Sequence, residues 1–140
     1  MTAAIQDALR ARAGELLSSG AVTMVIGWGQ GRFEHQTTPL FVTTAEQASE
    51  LVFDQYCVNT LAKYVIREVA LAGEGKIAVC VRGCESRAIN RMIADNQLNR
   101  EQVHLIGIPC PGMTSRQGQP LAKCEACTHA DPLIYDELLG

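Results

Sequence analysis

The chain has 140 residues, of which 47% are apolar, and a formal net charge of −3. That length suits one domain with its own hydrophobic core, so crosslinks are not needed to hold it together. The mildly acidic balance argues against nucleic acid as a partner, because phosphate binding wants a basic face.

The first ten residues carry charge early and lack a long apolar core, so no signal peptide is expected. No apolar run is long enough to span a bilayer. Residues 2–18 read as an amphipathic helix, with Ile5, Leu9, Ala13, Leu16 and Leu17 at helical spacing and Ser18, Ser19 and Gly20 as its stop. Residues 21–26 read as a buried strand, broken by Gly27-Trp28-Gly29-Gln30-Gly31. Residues 33–38 suit an irregular loop or an edge strand, and 39–42 the start of a second strand. Thr43 and Thr44, with Glu46 and Gln47 three residues on, make a capping box. The helix it opens is expected to run to Phe53 or Tyr56. A further helix is expected over 58–71, ended by Gly73-Glu74-Gly75.

Residues 77–81 are the most strand-like run in the chain. Gly83 turns that strand into a helix over 85–96. Residues 99–102 read as a capped turn and 103–108 as the next strand. Residues 110–123 have little that could enter a core, and 131–140 suit a short helix. Strands alternating with helices predict a single α/β domain, with a mainly parallel sheet flanked by helices and a cysteine-rich loop segment at 110–130.

A cytoplasmic location is expected, where thiols stay reduced, so six cysteines point to metal binding or redox work before structural disulfides. Cys80 lies inside a strand and Cys57 at a helix junction, and both read as packing residues. Cys84, Cys110, Cys124 and Cys127 fall in loops or at element ends. Cys124 and Cys127 form a C-x-x-C pair, which lets two sulfurs meet one metal from a tight turn. If the strands before Cys84 and Cys110 are parallel neighbours, their ends share one sheet edge, the usual binding crevice of an open α/β sheet. Four thiolates suit a 4Fe–4S cluster or a zinc ion. Pro109 and Pro111 would stiffen the loop around Cys110. Arg82 and Arg87, beside Gly83 at a helix start, suit stabilisation of a negative thiolate cluster or of a flavin or nucleotide phosphate. The bland alternative is an exposed helix face paired with Glu85 and Asp95. Gly27 to Gly31 makes no complete phosphate-binding fingerprint and reads as a turn. Trp28 could stack on a flavin ring, but a lone Trp after a strand is more often core. His35, His104 and His129 are scattered, and His129 alone stands near a cysteine.

Taken together, Val-Arg-Gly-Cys-Glu-Ser-Arg at 81–87, Ile-Pro-Cys-Pro-Gly-Met at 108–113 and Lys-Cys-Glu-Ala-Cys at 123–127 resemble the N-terminal region of the coenzyme F-420 hydrogenase and dehydrogenase beta-subunit family. The upstream segment around Tyr56 to Tyr64 looks like related iron–sulfur proteins of anaerobes. The resemblance implies a 4Fe–4S cluster on Cys84, Cys110, Cys124 and Cys127. It also implies electron transfer with redox partner subunits of hydrogenase, formate dehydrogenase or heterodisulfide reductase-like complexes. Full members continue into a longer flavin-binding region or into ferredoxin-like repeats. A one-cluster electron-transfer subunit, without catalysis of its own, is therefore the expectation. A zinc-stabilised interaction module and a small flavoprotein reductase are the alternatives, and homo-oligomerisation is left open.

Overall fold

The computed structural model describes residues 2–32, 36–54, 56–57, 61–72, 75–108, 113 and 134–139. Helix α1, Thr2–Ser18, is held by its Ile5, Leu9, Ala13 and Leu16 seam, all buried. It stops where Gly20 takes a φ of 78°, which costs glycine little.

Strand β1, Met24–Gln30, pairs antiparallel with β2, Thr37–Val42. A short 3-10 turn at Glu46–Glu50 leads into β3, Leu51–Val52. Helix α2 spans Ala62–Ala72, β4 Ile77–Val81 and α3 Gly83–Ala94. A second 3-10 turn, Arg100–Gln102, precedes β5, Val103–Gly107, and the short β6, Glu137–Leu138. The sheet order is β2-β1-β4-β5-β6, with β3 also on β1. The β1–β4, β4–β5 and β5–β6 pairs are parallel, so the expected mainly parallel α/β fold is present. Among the described residues no helix is long and apolar enough to cross a membrane.

Both crossovers, β1 to β4 and β4 to β5, step the same way along the sheet. Their right-handedness puts α2 and α3 on one face, where α2 packs on β4 and α3. Helix α1 covers the other face, reaching from β3, where Arg10 donates to the Leu51 carbonyl at 2.7 Å, to β6, where Arg12 meets Glu137 at 2.7 Å.

Three expectations are corrected. Gly27 to Gln30 do not break the first strand but lie inside it. Glycine serves there because a Cβ at Gly27 would stand 2.6 Å from Leu51 Cδ2 and 3.5 Å from Cys80 Sγ. The expected capping box forms only in part: Thr44 Oγ1 accepts from the Gln47 amide at 3.4 Å, while Gln47 Oε1 accepts from the Thr43 amide at 3.0 Å and the turn itself begins after Ala45. The segment opens a single 3-10 turn rather than a helix to Phe53, because Leu51 and Val52 gain more by pairing with β1. The C-terminal residues add an edge strand instead of a helix, since Glu137 and Leu138 find partners in Ile106 and Gly107. The cysteine-rich segment at 110–130 lies outside the described residues.

Candidate metal centre at the strand ends

Strands β1, β4 and β5 run parallel, so their C-terminal ends share one sheet edge. On that edge β1 and β4 part company. They pair as far as Ile26 and Val79, after which β1 pairs instead with β3, through Trp28–Val52 and Gly29–Leu51. The outer edge of β3 is satisfied by α1: Gln6 accepts from the Phe53 amide at 3.0 Å and Arg10 donates to Leu51. The chain leaving β4 therefore enters a fork between two strands.

Arg82 fills that fork. Its side chain is 1% exposed, and that of Glu85 is fully buried. Glu85 is the third residue of α3, one turn from the cap, so its carboxylate reaches back to the helix entrance. It accepts from the Arg82 amide at 3.0 Å and from Arg82 Nε at 2.8 and 3.0 Å, and Nη2 closes the pair on Oε1. Arg82 Nη1 donates to the Cys57 carbonyl, and the guanidinium carbon stands 5.0 Å from the Trp28 ring centroid. Trp28 is itself fully buried against Phe53, at 5.7 Å between centroids. It offers no face for stacking a flavin, and the core reading of this residue holds.

Gly83 is buried at the turn into α3, and Ser86 Oγ donates to its carbonyl at 2.9 Å. Between them Cys84 is exposed, with its sulfur 3.5 Å from Glu85 Oε2. The sulfur thus sits on the outside of a turn whose inner side is a buried ion pair. Arg87 lies three residues beyond Cys84 and so on the same helix side. It is half-buried, and its Nε has no hydrogen-bond partner among the described residues.

Cys57 and Cys80 are wholly buried. Burial pushes the Cys57 thiol up to about 12, against the Asp54 hydrogen bond and the Arg82 charge, which pull it down. Burial also drives Cys80 up, helped by the negative field of Glu85. Both are protonated core thiols, as their sequence positions suggest.

Of the sequence-predicted ligands, Cys84 is placed at the edge as expected. Cys110, Cys124 and Cys127 lie outside the described residues, as do Pro109, Pro111, His35 and His129. Among the described residues no three metal-binding side chains gather. Arg82 is not on an exposed face, and Asp95 pairs with Arg91 at 3.1 Å instead of with Arg82 or Arg87. Sequence reading missed the depth of the Arg82–Glu85 pair. The spacing signals the contact, because a Glu three residues after a helix cap points back at the cap amide, but not its burial.

A second polar group lies at the opposite end of β5. His104 Nε2 is 2.6 Å from Glu137, and Asp136 accepts from the Leu105 amide at 2.7 Å and pairs with Arg100 at 3.1 Å. Burial pushes the Asp136 carboxyl up, but the hydrogen bonds from Arg100 and Leu105 and the nearby positive charge together pull it below its usual range.

No protein-family model matches the chain. It is 32% identical over 97 residues to the F420-dependent formate dehydrogenase 1 subunit beta of Methanococcus maripaludis, which covers 69% of this chain and 24% of that protein. It is 29% identical over 101 residues to the F420-dependent formate dehydrogenase subunit beta of Methanocaldococcus jannaschii, covering 71% of this chain and 26% of that one. The fold is similar to a chain of the F420-reducing [NiFe] hydrogenase complex from Methanosarcina barkeri, with a TM-score of 0.67 at 18% identity, over 79% of this chain and 39% of that chain. The chain thus spans about a quarter of the length of the curated relatives it matches.

Proposed function

From this similarity to the beta subunits of F420-dependent oxidoreductases, which is the resemblance its own motifs carry, we propose that the chain is an iron–sulfur electron-transfer component of a multi-subunit redox complex. Cys84, Cys110, Cys124 and Cys127 would hold a 4Fe–4S cluster, which when bound supplies one-electron transfer. One observation carries the reading. Val81 and Gly107 are register partners on parallel strands, and the Ile108 amide donates to the Val81 carbonyl at 2.8 Å. Cys84 stands three residues after Val81, and Cys110 three after Gly107. Two thiols thus occupy equivalent sequence positions beyond neighbouring strand ends.

The described part of the site fits a thiolate ligand. Cys84 presents its sulfur outward from the first turn of α3, where the positive helix end favours negative charge. Arg87, on the same helix side, adds positive charge, while the charge of Arg82 is balanced by Glu85. The protein's own part is to bind, to exclude water and to set the potential through amides, charge and burial. A reducing, cytoplasmic compartment suits such thiols, and the partners would be redox subunits related to hydrogenase or formate dehydrogenase.

The test is a ligand series in anaerobically purified protein. Cys84→Ser and Cys110→Ser are expected to abolish or convert the cluster, read by electron paramagnetic resonance of the reduced sample. Cys80→Ser is expected to keep the wild-type signal. A full 4Fe–4S signal in both ligand variants refutes the assignment.

A further inference from the structure

We propose that Arg82 and Glu85 are positioning residues for Cys84. Their buried pair fixes the first turn of α3 in the geometry that a thiolate ligand needs, before any metal arrives. The inference rests on the reading of Cys84 as a ligand.

The pair is unusual in its setting. Two opposite charges are 1% and 0% exposed, in a region otherwise filled by Trp28, Phe53, Cys57 and Val81. Desolvating two ions is costly, and well-packed apolar side chains of similar volume commonly stabilise a core as well or better. Fold stability alone therefore gives a weak reason for this arrangement.

An apolar pair could not reproduce its connections. Glu85 ties the Arg82 amide, the Arg82 guanidinium and the Cys84 sulfur to one carboxylate. Arg82 ties that carboxylate to the Cys57 carbonyl and to the face of Trp28. Three places in the chain, Trp28 of β1, Cys57 and the β4–α3 turn, are fixed to one another around the residue that presents the sulfur. Polar groups behind a ligand that hold its rotamer and backbone are what separates a ready site from a loose one. In the metal-free protein the Cys84 thiol also donates to Glu85 Oε2 at 3.5 Å, which restricts where that side chain rests until the thiol gives up its proton to bind metal.

The test separates positioning from stability. The full chain is reconstituted anaerobically with ferrous iron and sulfide, as wild type, as Glu85→Gln and as the double variant Arg82→Met/Glu85→Leu. The double variant keeps the volume of the pair and removes both charges, so it is expected to fold where the single variant fails. Three readouts are taken: urea stability of the metal-free protein, hydrogen exchange of the 83–87 amides, and the rate of iron loss to a chelator. The expected result is a double variant with wild-type stability, faster exchange at 83–87 and iron loss about tenfold faster or more, the usual scale for groups behind metal ligands. A double variant that is as stable as wild type and holds iron as tightly overturns the proposal, since the pair would then be structural filling. Wild-type protein that takes up no iron at all overturns the ligand reading first, and this inference with it.

Discussion

Replacing Gly27 by alanine tests how the fork beside the candidate site is built. Gly27 is the β1 residue at which pairing passes from β4 to β3. An added Cβ would lie 2.6 Å from Leu51 Cδ2, far inside contact distance, and 3.5 Å from Cys80 Sγ. Leu51 is fully buried, so its methyl can retreat only by leaving its rotamer or by shifting β3. Overpacking of this kind costs about 1–3 kcal/mol. Removing glycine from a strand interior returns roughly 0.5–1 kcal/mol of backbone entropy. The net expectation is a loss of about 1–2 kcal/mol. The sharper signal is the coupling with Leu51→Ala, which alone should cost about 2–5 kcal/mol through the cavity it leaves. In the Gly27→Ala background the clash is gone and the new methyl fills part of that cavity, so the two changes should couple favourably by about 1 kcal/mol or more. Urea unfolding of the four metal-free proteins measures the cycle. Additive losses, or a Gly27→Ala variant more stable than wild type, would refute the account of the fork.

Other outcomes follow from the same geometry. Glu85→Gln leaves the Arg82 charge buried, without the carboxylate that balances it and with a neutral amide in its place. It should cost about 3 kcal/mol in urea unfolding, and a loss below about 1 kcal/mol would mean that the pair is not buried as described. In native, metal-free protein at pH 8, Cys57 and Cys80 should resist iodoacetamide while exposed Cys84 reacts, as read by peptide mass mapping; burial and raised thiol values both act in that direction. The Asp136 carboxyl is held below its unfolded value, so its contribution is present above about pH 4 and fades as pH falls through the lower folded value. Asp136→Asn should thus be less stable than wild type near pH 7 and converge with it in acid. A gap that persists unchanged to pH 2 would contradict that. Leu71 is 75% exposed, so Leu71→Ser should change stability by less than about 0.5 kcal/mol.

The strands that carry the site were legible because their patterns are local. Residues 77–81 form an unbroken apolar run of wholly buried residues, the mark of a parallel strand covered on both faces. The α1 seam at Ile5, Leu9, Ala13 and Leu16 reads the same way at helical period. What misled was non-local. Gly27 and Gly29 look like a turn in sequence. At Gly27 the reason is the Leu51 side chain, which arrives from β3 more than twenty residues later, and at Gly29 it is Leu40 of β2, whose side chain would stand 3.2 Å from an added Cβ. The segment after Thr44 carries a genuine helix start, but tertiary pairing of Leu51 and Val52 overrides it after one turn. The burial of Arg82 was equally hidden. Nothing near it in sequence announces that β1 and β4 separate there, and only that separation makes room for a guanidinium beneath Trp28.

The most direct measurement is the iron, sulfide and zinc content of anaerobically purified protein, with a visible spectrum of the same sample. The account predicts about four iron and four sulfide per chain, with broad visible absorption that bleaches on reduction. One zinc per chain without iron, or no iron after reconstitution, would contradict it.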